Sequence, residues 1–221
     1  PDAMKLSRAD LAFAMAEGRT GATTVAATMI SAAGAGIKVF ATGGIGGVHR
    51  KAEESFDISA DLEELARTGV IVVCAGAKAI LDIPKTLEVL ETKGVPVVTV
   101  GQDEFPAFWS RNSGLKSPLR LDSPAAIARF QTMRDELGVH GGMLIGNPVP
   151  EDNEIARDEM EIYINRALDN AVDDDITGKA VTPYLLASIF ELTKGRSLAT
   201  NIALVENNAR LAARIALALI G

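Results

Sequence analysis

Cysteine is nearly missing from this chain. Cys74 is the only one among 221 residues, so no disulfide can close within it. At the end of a β-branched run it reads as a small apolar core residue rather than a redox centre. Aromatic residues make up only 5%, and the core must therefore be built from Ala, Val, Ile and Leu. Lys and Arg number 22 against 29 Asp and Glu, a formal net charge of −7, and no basic cluster stands out. That argues against wrapping a nucleic-acid polymer, which needs a cationic face. A small anion held by a few local cations stays compatible. No apolar run approaches the roughly 20 residues that span a bilayer, and the start lacks a secretory layout. No membrane partner is expected, and the cytoplasm is the expected location, with organellar import left open. Also missing are a G-x-S-x-G elbow, a Gly-Lys-Ser/Thr phosphate loop and an HExxH metal motif; His49 and His140 lie far apart.

What is present is a compact, apolar-rich composition: 48% hydrophobic residues, mean hydropathy +0.17 and 20 glycines. The length suits one sizeable core and a single domain over 1–221. Helical periodicity runs from Ala22 to Ala33, with Val25, Ala26, Met29 and Ile30 on one stripe. A buried strand is expected at Ile37–Ala41, then a glycine-dense loop, a short helix Ala60–Thr68 and a strand Val70–Cys74. Helix Lys78–Thr92, strand Pro96–Val100, helix Pro124–Leu137 and strand Gly142–Gly146 follow. The rest reads as helical, at Glu151–Ala171, Pro183–Leu192 and Leu198–Leu219. Strands alternating with helices predict an α/β fold, three layers α/β/α around a mainly parallel central sheet. Ligands of such sheets bind at the carboxyl ends of the strands, where both the glycine loop and Lys78 should lie.

Three stretches could carry chemistry. Thr42-Gly43-Gly44-Ile45-Gly46-Gly47 offers backbone N–H groups able to cradle a phosphate, with His49 and Arg50 adding positive charge; the plain alternative is a turn between core elements. In Phe56-Asp57-Ile58-Ser59-Ala60-Asp61, the spacing puts Asp57 and Asp61 on one face whether extended or helical. Such an oxygen set suits Mg²⁺ or Mn²⁺, unless Ser59 or Asp57 merely caps the next helix. Lys78, at the mouth of the expected helix, either snorkels to solvent or has its pKa lowered by partial burial and the helix N-terminus, giving an amine nucleophile for carbonyl carbon. On the last helix, Asn207 and Asn208 are expected to face solvent, while Asn201 either caps the helix or reaches a ligand.

Taken in order, GATTVAATM (Gly21–Met29), ATGGIGGVHR (Ala41–Arg50), FDISADL (Phe56–Leu62), CAGAKAILD (Cys74–Asp82), EFPAF (Glu104–Phe108), NPVP (Asn147–Pro150), KAVTPYLLA (Lys179–Ala187) and SLATNIALV (Ser197–Val205) resemble the pseudouridine-5′-phosphate glycosidase family, from about Lys5 onward. The resemblance implies reversible cleavage of pseudouridine 5′-phosphate to uracil and ribose 5-phosphate. It also implies Mn²⁺ as the usual metal and a homotrimer. Carried over by motif, Lys78 is the covalent nucleophile and Asp57 the metal ligand. Ser59, Ala60 and Asp61 contact substrate, as do Lys5 and Val25; Thr42, His49 and Asn201 line the pocket. The base of pseudouridine is attached through carbon, so the paired-carboxylate route of ordinary glycosidases gives way, on this resemblance, to an imine between Lys78 and the opened sugar.

The resemblance carries one departure. The family has further residues upstream, including a Glu-Ser-Thr segment whose glutamate donates a proton, and no such motif stands in this sequence. Pro1 reads as the start of a cleavage product or an incomplete chain, with the upstream piece as a possible partner. A catalytically silent phosphosugar- or nucleotide-binding fragment and another Schiff-base phosphosugar lyase are the alternative readings.

Overall fold

The computed structural model describes residues 3–176 and 180–221; Pro1, Asp2 and Lys179 lie outside them. The elements, in chain order, are β1 (Met4–Leu6), α1 (Arg8–Ala16), β2 (Gly21–Thr23), α2 (Val25–Gly34), β3 (Val39–Ala41), α3 (Ala52–Ser55), α4 (Ala60–Arg67) and β4 (Ile71–Cys74). Then come α5 (Ile83–Thr92), β5 (Val97–Thr99), β6 (Leu119–Arg120), α6 (Pro124–Glu136), β7 (Met143–Gly146), α7 (Arg157–Asp173), α8 (Val181–Leu192) and α9 (Arg196–Ala218). Among these residues no helix is long and apolar enough to cross a membrane.

The central sheet has five strands in the order β3-β4-β7-β5-β6, and every pairing is parallel. Its strands alternate between two apolar faces, as the period of two demands. Val70, Val72 and Cys74 of the β4 segment point to a cluster with Met29 of α2, Leu62 and Leu65 of α4, Leu90 of α5, Ile164 of α7 and Ile189 of α8. Ile71 and Val73 point the other way, joining Val98, Met143 and Ile145 with Ile127 of α6 and Leu211 and Ile215 of α9. Helices therefore cover both faces, which a parallel sheet requires. Each fully buried large aliphatic side chain contributes roughly 1.5–3 kcal/mol, so these two layers hold the sheet together without many aromatics.

Four boundaries differ from expectation for identifiable reasons. The helix expected from Ala22 starts at Val25, because Gly21–Thr23 pairs with β1 in a two-stranded parallel sheet and Thr24 is the N-cap, accepting from the Ala27 amide. Strand β3 is an edge strand and only half-buried, and Ile37 before it is exposed. The helix expected from Glu151 is a short 3-10 turn at Glu151–Asn153, and α7 begins at Arg157. The intervening backbone is used elsewhere: Ile155 N–H donates to Trp109 O (3.0 Å), and Ile155 O accepts from Ser110 Oγ (2.7 Å). Most relevant to function, α5 starts not at Lys78 but at Ile83. Asp82 caps it by accepting from the Lys85 amide (3.0 Å), and Pro84 stands in its first turn.

The carboxyl ends of β3 and β4 continue as a looser ribbon. Ala75 N–H donates to Gly43 O (2.8 Å), Ile45 N–H to Gly76 O (3.1 Å) and Lys78 N–H to Ile45 O (3.2 Å). Gly76, at φ 93°, is the pivot of this ribbon, and an added Cβ would run into the Pro106 carbonyl. Gly76→Ala should therefore destabilise by at least about 2 kcal/mol, combining a forbidden backbone conformation with a backbone collision. Gly34→Ala, at a helix end with open space around it, should be neutral or stabilise by up to about 1 kcal/mol. Urea unfolding midpoints of the two variants check the opposite signs.

Candidate functional site

Lys78 is fixed by strand-like pairing beyond the end of β4, not by a helix turn, so the expected help from a helix N-terminus is absent. Its side chain is half-buried and lines a cavity of about 460 Å³ at the carboxyl edge of the sheet. Desolvation pushes the Lys78 amine below the usual lysine range; Asp61 opposes this, and Lys5 adds to it. His49 lines the same cavity and is pushed down by its own burial, against Asp57 and with Lys5 and Lys78. Three basic groups from β1, the glycine loop and the β4 ribbon thus share one space, in a protein that is acidic overall.

Lys5, Val25, Thr42, His49, Ser59, Asp61, Lys78 and Asn201 all line this cavity. Ala60 does not: it is the exposed first residue of α4. Asp57 is also outside the lining. Its carboxylate is 46% exposed and lies 3.8 Å from His49 Nδ1. Asp57 and Asp61 do not act as a pair, contrary to the spacing argument. Asp61 is buried, with Oδ1 accepting from Ala26 N–H and Oδ2 from Gly46 N–H, both at 2.8 Å. Both oxygens thus serve as a brace between α2 and the glycine loop. Ser59 is the N-cap of α4, accepting from the Asp61 amide at 3.2 Å, so capping and cavity lining coincide in one residue.

The glycine loop and the residues after it pack closely against their neighbours. The Ile45, Gly46, Val48 and His49 amides already donate to Gly76 O, Asp61, Thr86 Oγ1 and Asp57 O. None of the loop's glycines has a positive φ. A Cβ at Gly46 would strike Ser59, one at Gly47 would strike Thr86, and one at Gly44 would come within 2.6 Å of Phe108. Arg50 leaves the site altogether and pairs with Glu161 at 3.1 Å. It helps line a second cavity of about 480 Å³, which none of the residues carried over from the family resemblance enters; size alone does not mark the site. Cys74 is fully buried, and burial pushes its thiol up to about 12, so it is a core residue.

A metal has little protein to hold it. Among the described residues no three His, Cys, Asp or Glu side chains come together. Asp57 with His49 nearby fits only a hard divalent ion that keeps most of its water shell.

Sequence reading missed the contribution of the C-terminal helices and the aromatic loop: Thr182, Leu186, Val205 and Phe108 all line the cavity. It also misplaced Asn208, which is fully buried rather than solvent-facing. Asn208 Oδ1 accepts from Asn147 Nδ2 (3.0 Å) and Asn208 Nδ2 donates to Thr42 O (2.8 Å). It thereby joins the ends of β3 and β7 across β4. Asn207 is half-buried and donates to Pro148 O at 3.1 Å. A polar pair inside an aliphatic helix was the available signal.

Residues 1–218 match the indigoidine synthase A like protein family. Pseudouridine-5′-phosphate glycosidase 1 of Rhizobium johnstonii is 79% identical over 218 residues, covering 99% of this chain and 69% of that protein. The pseudouridine-5′-phosphate glycosidase of Solibacter usitatus is 67% identical over 213 residues, covering 96% and 71%. Among solved structures, the prealnumycin C-glycosynthase in complex with ribulose 5-phosphate superposes with a TM-score of 0.93 at 37% identity, over 99% of this chain and 72% of that one. An indigoidine synthase A-like protein from Thermotoga maritima gives 0.89 at 37% identity, over 98% and 71%.

Asn208→Leu is expected to cost about 1–3 kcal/mol, because it leaves the Asn147 amide without its partner inside the protein. It should also loosen Thr42 at the cavity wall. Thermal unfolding reads the first effect, and ligand affinity the second. An unchanged melting temperature would sink the bridging role.

Proposed function

This chain belongs to the indigoidine synthase A like protein family, and on that premise we propose that it reversibly cleaves the C–C glycosidic bond of pseudouridine 5′-phosphate to uracil and ribose 5-phosphate through Lys78. The names of its relatives support the substrate. The observation that carries the mechanism is a half-buried amine with a lowered pKa beside two further basic groups at the carboxyl edge of a parallel sheet.

The chemistry follows from what each group can do. The uncharged Lys78 amine bonds to C1′ as the ring oxygen O4′ leaves as a hydroxyl. The nitrogen lone pair then expels uracil, whose C5 takes up a proton, leaving an imine between Lys78 and the open sugar. Water releases ribose 5-phosphate and restores the amine. Protein carboxylates cannot replace the amine here, because carbon is a poor proton acceptor and its bond breaks only when a lone pair on the attached nitrogen pushes the electrons out. Lys5 and His49 face the phosphate and sugar oxygens, and Val25 and Thr42 close the walls. Ser59 and Asp61 hold the loop that frames the site, the Ala60 amide lies at the start of α4, and Asn201 reaches in from α9. Asp57 would hold a hydrated Mn²⁺ or Mg²⁺, which would bring positive charge to substrate oxygens. On the family resemblance the working unit is a homotrimer in the cytoplasm.

A second reading has its own support. The prealnumycin C-glycosynthase shares this fold, and joining a pentose 5-phosphate to a carbon nucleophile is the same bond made in reverse. The higher identity to the glycosidases favours uracil as that nucleophile.

Borohydride added with ribose 5-phosphate should fix one pentose phosphate to the protein, at Lys78 by peptide mass mapping. Lys78→Ala should lose the adduct and at least about 10³-fold of uracil release; normal turnover in that variant would refute the assignment. Because only the neutral amine reacts, kcat should rise with pH through the Lys78 pKa and then level off. Lys5 opposes protonation of Lys78, so Lys5→Gln should move that limb to higher pH; a limb that stays put would detach it from Lys78.

A further inference from the structure

Lys5 reaches the cavity from a part of the molecule that stands apart from the central sheet. Strands β1 and β2 form a two-stranded parallel sheet of their own, with α1 between them in the chain. The apolar centre of this unit is small: Leu6 and Ala14 with Met4 and Leu11, closed by Ala27 of α2. Phe13 and Met15 of α1 are exposed. A two-stranded sheet has little stability alone, so the place of Lys5 depends on how the unit is fastened to the body of the protein.

The fastening is a forked ion pair. Arg8, the first residue of α1, donates from Nε to Glu64 Oε2 (2.6 Å) and from Nη2 to Glu64 Oε1 (2.7 Å). Among the described residues no other hydrogen bond ties β1, α1 or β2 to an element beyond α2. The Glu64 side chain is 1% exposed, while Arg8 keeps 47%; Glu64 also accepts from Thr68 Oγ1. A carboxylate that deep needs its cation, and a two-point contact fixes direction as well as distance. Glu64 stands one turn after Asp61 on the same face of α4. Asp61 grips α2 and the glycine loop, and Glu64 grips α1. The link from Arg8 back to Lys5 is short and braced, because the Ser7 amide between them donates to Asp10 Oδ2 at 3.0 Å. Neither Arg8 nor Glu64 lines the cavity.

We infer that Arg8 is a positioning residue: its fork on Glu64 holds the β1–α1 unit on α4 and so keeps the Lys5 ammonium at the cavity, where the phosphate and sugar oxygens of the substrate meet it. This rests on the glycosidase reading above and deepens it, adding a residue that acts on the substrate only through Lys5.

The test is a double-mutant cycle in the synthesis direction. Arg8→Gln should raise the KM for ribose 5-phosphate at least about tenfold and move the rising limb of kcat to higher pH, the direction expected of Lys5→Gln. Asp61 and His49 also act on Lys78, and Arg8 holds neither, so the limb reports on Lys5. In protein already carrying Lys5→Gln, adding Arg8→Gln should change that KM by less than about twofold and leave the limb in place. Glu64→Gln removes the fork without leaving a buried carboxylate unpaired; it should show the same two changes and supplies the readout if Arg8→Gln does not fold. A wild-type KM and limb in either single variant overturn the positioning role. So does a full further loss when Arg8→Gln joins Lys5→Gln, because Arg8 would then act by another route. In these cases the wild-type protein still releases uracil and forms the borohydride adduct, and the glycosidase reading stands. Wild-type protein that does neither refutes that reading, and this inference with it.

Discussion

A single buried carboxylate organises the site. Asp61 lies in the first turn of α4, and each of its oxygens accepts one backbone N–H, from Ala26 at the start of α2 and from Gly46 in the glycine loop. Removing it would leave two amides unsatisfied inside the protein, which costs more than the two bonds themselves are worth. The same charge faces Lys78 and opposes the desolvation that drives the lysine pKa down. One residue therefore fixes the distance between three elements and limits how far the amine is discharged. The rest of the cavity follows from that brace. Ser59 must cap α4 where it does, Gly46 must lack a side chain where Ser59 and Asp61 approach, and Val25 is delivered to the cavity because α2 starts beside it.

Much of this was legible in the chain, and the limits have physical causes. Parallel strands announce themselves by β-branched runs such as Val70–Cys74, and the helices by apolar stripes, so the layered sheet could be expected. Strands of three residues, such as Met4–Leu6 and Gly21–Thr23, carry too short a pattern to be read. The start of α5 was missed because Ala77, Lys78 and Asp82 are taken by pairing with Ile45 and Val48, partners distant in sequence that no local propensity records. The glycine loop was legible as a special element, and the structure adds close packing to the reasons for it. Density of glycine can mean exposed amides or close packing; close packing is visible here, since Phe108, Ser59 and Thr86 occupy the space that side chains would need.

Residue-level expectations divide in the same way. Lys5, His49, Asp61 and Lys78 come from well-separated stretches and meet in one cavity, as their motifs suggested together and none could have shown alone. Asn208 was misread because a polar residue on an amphipathic helix is usually turned to water; only the orphan carbonyl of Thr42 and the amide of Asn147 explain its burial.

The arrangement also narrows the chemistry by what its acids are doing. A glycosidase of the ordinary kind needs two carboxyl groups on opposite sides of the scissile bond, one to protonate and one to attack or activate water. Among the described residues lining this cavity the carboxylate is Asp61, and both its oxygens are engaged by backbone amides. Asp57 stands outside, nearly half exposed and turned to His49. Neither is placed to form such a pair. What the cavity does present is an amine in a partly dry setting, flanked by positive charge that keeps its proton loosely held. An amine of that kind suits a bond whose leaving atom is carbon, because its lone pair can push the carbon–carbon bonding electrons onto the leaving carbon as the imine forms. The acidic surface of the whole chain and the basic interior of this one cavity are therefore consistent: local desolvation and neighbouring cations, not net charge, decide what Lys78 can do.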